Sequence, residues 1–204
     1  GNSFTGGAIS LRDSNDLTVT VLGNGPNQAV SVVAGLGLTL PGGVNTGAAD
    51  LTLSSGALLS TPGTLTGNNV ALTGSAGINV GNDVTAAGNL SLTSANAAVN
   101  QTLGRIVAGG TTTVTAGAGA VTLTQALNDF NSINVVSGSV VTLVDSNALT
   151  AAANASGDLT ITSTGPLSSG GTLSGSNVVL DGSAGINLAN DVNASGTLQL
   201  TTGN

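Results

Sequence analysis

The chain alternates short apolar pairs with turns rich in Gly, Asn and Ser. In the segment 64–93 the apolar residues stand at positions i and i+2, as in Val70/Leu72 and Leu90/Leu92. This spacing is the period of a β-strand with one buried face. Turn sequences such as Gly-Ser-Ala-Gly separate the pairs. The pattern predicts short strands joined by tight turns.

The segment 64–93 returns as 172–201. Aligned without a gap, the two copies are identical at 20 of 30 positions. Within the copies Leu72 is followed by Leu92, and Leu180 by Leu200, so three strands and three turns recur with a period of about 20 residues. Such repetition is typical of a solenoid. The sequence therefore predicts an all-β fold, a right-handed parallel β-helix with triangular coils of about 20 residues.

Further matches favour the same coil length. The tripeptide Asp-Leu-Thr occurs around Leu51 and again around Leu159. The stretch from Phe4 to Leu51 is longer than the stretch from Phe130 to Leu159, and the excess is close to one coil. We expect this difference to be one whole coil, with each strand kept in its sheet. The chain is predicted to be a single β-helix segment, residues 1–204, of about ten coils. The predicted core residues that mark the repeat are Phe4, Phe130, Ile78 and Ile186.

The amino-acid composition limits the possible functions. Aromatic residues are only 1% of the chain, so Val, Leu, Ile and Ala must fill a narrow core. The alanine-rich run Ala148–Ala155 is the one candidate for a helical turn. The net charge of −7 comes from nine Asp and two Arg, without Lys or Glu. Nucleic-acid binding and membrane insertion are not expected, because the first needs basic residues and the second a long apolar run.

Catalytic chemistry has few side chains available. The chain has no His, Cys, Tyr or Trp, so Ser-His-Asp catalysis and the usual zinc sites are excluded. We predict no enzymatic activity and no cofactor. The Asp and Asn residues are expected to hold turns, where they hydrogen-bond nearby backbone groups. The predicted structural turn residues are Asn82, Asp83, Asn190, Asp191, Asp145 and Asn147.

Two other functions stay open. Stacked coils can bring distant Asp residues together, as in a polysaccharide-acting β-helix enzyme, and a groove lined by three or more Asp would favour it. Rows of Thr on one flat face would instead favour an ice-binding solenoid. The Thr-rich segments that raise this alternative are Thr18–Thr20, Thr111–Thr115, Thr122–Thr124 and Thr160–Thr162.

The chain also resembles a known family. An Asn-Ser-Phe or Asn-Asp-Phe run ends at Phe4 and Phe130, alternating apolar strands follow, and then come Asp-Ser-Asn-x-Leu and Asp-Leu-Thr. This order resembles the repeats of filamentous-haemagglutinin-type exoproteins, large bacterial surface proteins secreted by the two-partner route. The resemblance implies a structural shaft of an adhesin, secreted to the bacterial cell surface and excerpted from a longer protein.

The expected partners follow from the repeat and from that resemblance. An uncapped coil exposes backbone groups and apolar side chains, so neighbouring coils or further copies are expected to stack end to end. Host-cell or matrix glycans would be bound through other regions of the parent protein.

Overall fold

The computed structural model describes residues 2–203, and the first and last residues, Gly1 and Asn204, lie outside them. Every regular element in 2–203 is a β-strand, and that range contains no helix suited to crossing a membrane. The 25 strands are β1 (Asn2–Gly6), β2 (Ile9–Asp13), β3 (Leu17–Asn24), β4 (Val30–Ala34), β5 (Leu38–Thr39), β6 (Val44–Asn45), β7 (Leu51–Ser55), β8 (Leu59–Thr61), β9 (Leu65–Gly67), β10 (Val70–Gly74), β11 (Ile78–Val80), β12 (Val84–Ala86), β13 (Leu90–Thr93), β14 (Val99–Gln101), β15 (Ile106–Thr115), β16 (Val121–Leu123), β17 (Asp129–Gly138), β18 (Val141–Asp145), β19 (Leu149–Ala155), β20 (Leu159–Ser163), β21 (Leu167–Gly175), β22 (Val178–Gly182), β23 (Ile186–Asn187), β24 (Val192–Ala194) and β25 (Leu198–Thr202).

The strands pair in parallel and form two sheets. One sheet has 11 strands and is called face 1; its order is β1-β3-β5-β8-β11-β14-β16-β18-β20-β22-β25. The other sheet has 14 strands and forms the two remaining sides of each coil. Face 2 consists of β6, β9, β12, β23 and the first parts of β15, β17, β19 and β21. Face 3 consists of β2, β4, β7, β10, β13, β24 and the last parts of those same four strands.

Each coil passes through faces 1, 2 and 3 in turn. On face 1, Leu59 pairs with Ile78, Ile78 with Val99, and Val99 with Val121. The step from one partner to the next is about 20 residues, which is the length of one coil. The predicted fold class is confirmed: the chain is an all-β parallel solenoid of about ten turns.

One apolar column runs through the coils. The inward positions are Val, Leu, Ile and Ala, as the alternating pattern predicts. Phe130 and Ile78 are fully buried, whereas Phe4 and Ile186 pack against the column and are partly buried. Each buried CH₂ contributes about 0.8 kcal/mol to stability, so a column of aliphatic side chains stabilises the fold without a large aromatic core.

The two copies of the sequence repeat lie on different faces. Val70 is in β10 on face 3, but its sequence equivalent Val178 is in β22 on face 1. Likewise Ile78 is on face 1 and Ile186 on face 2. Ile78 and Val178 are five coils apart in the face 1 pairing. The offset between the two copies is therefore five coils and one further strand with its turn.

The expectation that each strand keeps its sheet in the two halves is wrong. Leu51 lies in the 14-stranded sheet and its sequence equivalent Leu159 lies in the 11-stranded sheet. The distances from each Phe to its Asp-Leu-Thr thus end on different faces. The physical reason is that each face needs only an inward apolar pair and a preceding turn residue. The same sequence satisfies this on any of the three faces.

The possible helical turn at Ala148–Ala155 is also wrong. Residues 149–155 of this run form β19, which pairs in parallel with β17 on one side and β21 on the other. Ala151, Ala153 and Ala155 point inward and are buried. The hydrogen bonds and packing of the two neighbouring strands override the helix propensity of alanine.

Candidate functional site

A column of hydrogen-bonded side chains marks the corner before face 3. The residues that precede the face 3 strands in successive coils are Asp50, Asn69, Asn89, Thr111 and Ser132. The backbone N–H of Asn89 donates to Asn69 Oδ1 at 3.0 Å, and that of Thr111 donates to Asn89 Oδ1 at 2.9 Å. The hydroxyls of Thr111 and Ser132 are 3.0 Å apart. This ladder links five coils at one corner.

A second ladder repeats the first at another corner. Asp158, Asn177 and Thr197 are the sequence equivalents of Asp50, Asn69 and Asn89, but they precede strands of face 1. Asn177 Nδ2 donates to Asp158 Oδ1 at 2.9 Å. The backbone N–H of Thr197 donates to Asn177 Oδ1 at 3.1 Å. The contacts therefore move with the sequence from one corner of the solenoid to the next.

The predicted turn residues Asn82 and Asp83 lie between β11 and β12. Asn82 Nδ2 donates to the carbonyl oxygen of Pro62 in the preceding coil, at 3.0 Å. Asp83 Oδ1 accepts the backbone N–H of Arg105 in the following coil, at 2.9 Å. Both side chains therefore hold one coil to the next.

The predicted turn residues Asn190 and Asp191 lie between β23 and β24. The backbone N–H of Asn190 donates to Ser169 Oγ at 3.0 Å, and its Nδ2 donates to the Ser169 carbonyl oxygen at 2.9 Å. Asp191 is exposed. The backbone N–H of Leu173 donates to the Asp191 carbonyl oxygen at 3.0 Å.

Asp145 and Asn147 bring two carboxylates close together. Asp145 is fully buried, and its oxygens accept the backbone N–H groups of Phe130 at 2.8 Å and Asn147 at 3.0 Å. Asn147 Nδ2 donates to Asp129 Oδ1 at 2.8 Å. Burial raises the pKa of Asp145 above its usual value, and the nearby Asp129 charge adds to the effect. Both Asp145 oxygens are engaged by backbone, so this carboxylate holds a corner in place.

Residues 2–203 contain no group of three or more acidic residues arranged to hold a metal ion. The Asp residues instead lie at or next to strand ends and are spread along the solenoid, with none between Asp83 and Asp129. Among them Asp50 is held as the carboxylate: hydrogen bonds from the Asn69 backbone, then from the Asn69 side chain, lower its pKa.

A buried pair of amides was not predicted from the sequence. Gln101 Nε2 donates to Asn128 Oδ1 at 2.7 Å, and Asn128 Nδ2 donates back to Gln101 Oε1 at 2.8 Å. The backbone N–H of Ile106 also donates to Asn128 Oδ1, at 2.8 Å. The two residues lie in different coils and are far apart in the chain, so no local motif signals the pair.

The corner above that pair carries an exposed apolar and cationic surface. Leu103 and Leu127 are 66% and 69% exposed. Arg105 lies beside them, and its Nε is 3.9 Å from Asp83 Oδ2. A depression of about 550 Å³ there is lined by Asp83, Gly104, Arg105, Gln125, Ala126 and Leu127. The sequence signal is a Leu inside each of two turns, where strand periodicity does not apply.

The Thr-rich segments do not share one face. Thr18–Thr20, Thr122–Thr124 and Thr160–Thr162 start in strands of face 1, whereas Thr111–Thr115 ends on face 3. A different set of hydroxyl residues is aligned over four coils of face 3. One row consists of Ser54, Thr73, Thr93 and Thr115, and the neighbouring row of Thr52, Ser91 and Thr113 is interrupted by Ala71.

These features define a class of protein: a parallel β-solenoid whose corners are held by Asn and Asp ladders. The family comparison also identifies repeats in this chain. Residues 67–137 and 138–202 match two consecutive copies of the family described as repeats of unknown function, DUF5649. The matches cover about two thirds of the chain, which belongs to this family. No curated protein and no solved structure matches the chain.

Proposed function

We propose that this segment is a structural shaft of a secreted bacterial surface protein of the filamentous-haemagglutinin type. The observation that carries the proposal is the unbroken apolar column, closed at its corners by ladders that connect one coil to the next. At about 4.8 Å per coil, ten coils extend roughly 48 Å. The hydrogen bonds between coils lie along this axis, so they resist pulling along the shaft.

The sequence motif behind the family resemblance has a structural role, which supports the proposal. In both Asp-Ser-Asn runs the Asp accepts the backbone N–H of the Asn two residues later. The distance is 2.8 Å from Asn15 to Asp13 and 3.0 Å from Asn147 to Asp145. This turn directs the chain into the next strand. Repeating such turns adds coils and so lengthens the solenoid, as the shaft of a surface adhesin requires.

The partners of the shaft are further coils. A β-solenoid grows by adding coils, because the edge strands of a coil offer free backbone groups to a neighbouring coil. Host-cell or matrix glycans would be bound by other regions of the parent protein.

The proposal is tested on the parent protein and on the purified segment. Protease shaving of intact cells should release peptides of this segment, and deleting the coil 70–89 from the parent should preserve its export. The purified segment should not cleave acidic polysaccharides such as polygalacturonate. Cleavage that disappears in Asp83→Asn or Asp191→Asn would establish an enzyme instead. A parent protein found only in the cytoplasm would refute the surface location.

The aligned hydroxyl rows favour a second candidate, ice binding by face 3. Parallel pairing places Thr73, Thr93 and Thr115 in register in three successive coils, about 4.8 Å apart. Thr93→Tyr would interrupt this row, and Thr142→Tyr on face 1 is the matched control. Inhibition of ice recrystallisation that is lost in the first variant alone would support this function. No inhibition by the unchanged protein would dismiss it.

A further inference from the structure

A neutral trough runs along one side of the solenoid, separate from the Arg105 corner. Three depressions of about 260, 300 and 530 Å³ lie side by side across β17, β19 and β21, and each spans three or four coils. The first two share Asn134 and Ala152, and the last two share Asn154. They therefore form one continuous surface, from Thr111 in β15 to Asn193 in β24.

The trough begins where the corner ladder ends. Thr111 and Ser132 are the last two members of that ladder, and they line the first depression. From this level onward β15, β17, β19 and β21 cross from face 2 to face 3 as continuous long strands. Small residues form the floor, because Ala152 and Gly170 stand where longer side chains would fill the space.

The lining is polar but carries no charge. The polar side chains along the trough are hydroxyls and amides, such as Ser132, Asn134, Asn154, Ser174 and Asn193, and the exposed Val136 lies among them. None of the nine Asp or two Arg lines it, although the chain has a net charge of −7. An anionic or cationic ligand would find no compensating charge there.

The amides of the trough have free hydrogen-bonding groups. Most other Asn side chains in residues 2–203 are bound to turns or ladders, but those of Asn134 and Asn193 make no hydrogen bond within that range. Asn154 only accepts a hydrogen bond from Ser174 Oγ, at 3.1 Å, so its NH₂ group is unused. Asn154, Ser174 and Asn193 are register partners in three successive coils. Donors and acceptors thus recur at about 4.8 Å along the trough.

We infer that the trough binds a neutral polysaccharide chain lying parallel to the solenoid axis. An extended neutral glycan offers hydroxyls at regular intervals, and amides and hydroxyls can pair with them as donors and acceptors. The small floor residues leave room for sugar rings. Since no aromatic side chain lines the trough to stack on those rings, affinity depends on many hydrogen bonds and rises with glycan length. This site goes beyond the shaft and does not depend on it.

The test uses the ¹⁵N-labelled full chain and three neutral probes: cellohexaose, maltohexaose and N-acetylchitohexaose. Each is added to about 10 mM, because a weak site of this kind is expected in the millimolar range. At least one probe should shift the side-chain amide signals of Asn134, Asn154 and Asn193. Its disaccharide should bind more weakly, and a heparin hexasaccharide should leave these signals unchanged.

The variants locate the site. Asn134→Ala with Asn154→Ala should weaken binding of the active probe about tenfold, the effect of losing about 1.4 kcal/mol. The matched control is Asn79→Ala with Asn100→Ala, a pair of neighbouring outward residues on face 1 that should leave binding unchanged. The inference is overturned if none of the three probes shifts the trough signals. Equal binding of heparin, or equal losses in both double variants, would overturn it as well.

Discussion

Asn69 donates two hydrogen bonds to the carboxylate of Asp50 in the preceding coil. Its backbone N–H donates to Asp50 Oδ1 at 3.1 Å and its side-chain Nδ2 donates to the same oxygen at 2.9 Å. The oxygen of the Asn69 side chain accepts the backbone N–H of Asn89 in the following coil. One amide therefore connects three coils.

Replacing this amide should weaken the solenoid. Asn69→Ala loses the side-chain hydrogen bonds to Asp50 and from Asn89, and we expect a loss of about 1–2 kcal/mol in the free energy of unfolding. Asn79→Ala is the matched control, because Asn79 points outward on face 1 and its side chain makes no hydrogen bond within residues 2–203. Urea denaturation measures both. Equal stability of the two variants would show that the ladder contributes nothing.

The pKa values of Asp145 and Asp50 should be shifted in opposite directions. Burial raises the pKa of Asp145 above 3.8, whereas hydrogen bonds from Asn69 lower the pKa of Asp50 below it. A carboxyl titration by NMR should find the Asp145 midpoint above that of an ordinary Asp and the Asp50 midpoint below it. An Asp145 midpoint at or below 3.8 would contradict its burial.

The stability of the fold should follow these shifts. The folded protein holds the Asp145 proton more tightly than the unfolded chain, so this residue's contribution falls as pH rises from 3.8 through the raised pKa. Asp50 acts oppositely: its contribution is present above 3.8 and is lost as pH falls through the lowered pKa. Urea denaturation across pH measures the unchanged chain against Asp145→Asn, which cannot titrate at this position. The free energy of unfolding of the unchanged chain, relative to that of Asp145→Asn, should fall as pH rises above 3.8. A pH-independent difference would disprove the linkage.

Whole-coil deletions should be tolerated. Val70 and Leu90 are register partners, so removing residues 70–89 joins Asn69 to Leu90 on the same face. Removing only residues 70–79 places Asn82 at the buried position of Leu72 and mismatches the following strands. We expect the longer deletion to unfold cooperatively near the temperature of the unchanged chain and the shorter one to be strongly destabilised, as measured by circular dichroism. Similar melting of both would refute the coil length.

The buried amides should be strongly coupled. Gln101→Leu leaves the Asn128 NH₂ group unpaired in the core, which costs about 1–3 kcal/mol. Gln101→Leu with Asn128→Leu should cost less than the two single changes added together, since neither amide is then left alone. Gln199→Leu, at an exposed position of β25, serves as the control. Additive losses in urea denaturation would show that the pair is not coupled.

The fold could be predicted because the spacing of apolar residues within and between neighbouring strands reveals the coil. Val70/Leu72 and Leu90/Leu92 show both the strand period and the coil length, and a parallel solenoid needs little else. Ala148–Ala155 shows where local reasoning ends: its alanines suit a helix, but the strands on both sides decide its conformation.

The candidate sites were harder to predict because they arise between coils. Gln101 meets Asn128 from another coil, and Asn154, Ser174 and Asn193 align only once strand register is known. Turn residues such as Asn82 and Asn190 were predicted from the sequence, but the hydrogen bonds from Asn69 to Asp50 and from Asn177 to Asp158 were not. Register shifts within β15, β17 and β19 also change these alignments, and no sequence motif announces them.

Because the sequence repeat is shifted by one face, equivalent residues of successive copies are rotated about the solenoid axis. A feature carried by each copy, such as the Asp50–Asn69–Asn89 ladder, reappears as Asp158–Asn177–Thr197 a third of the way around the axis. Three successive copies at this offset would point the same feature in three directions. Duplication of the repeat would then lengthen such a molecule and would also present the same surface feature on each of its three faces.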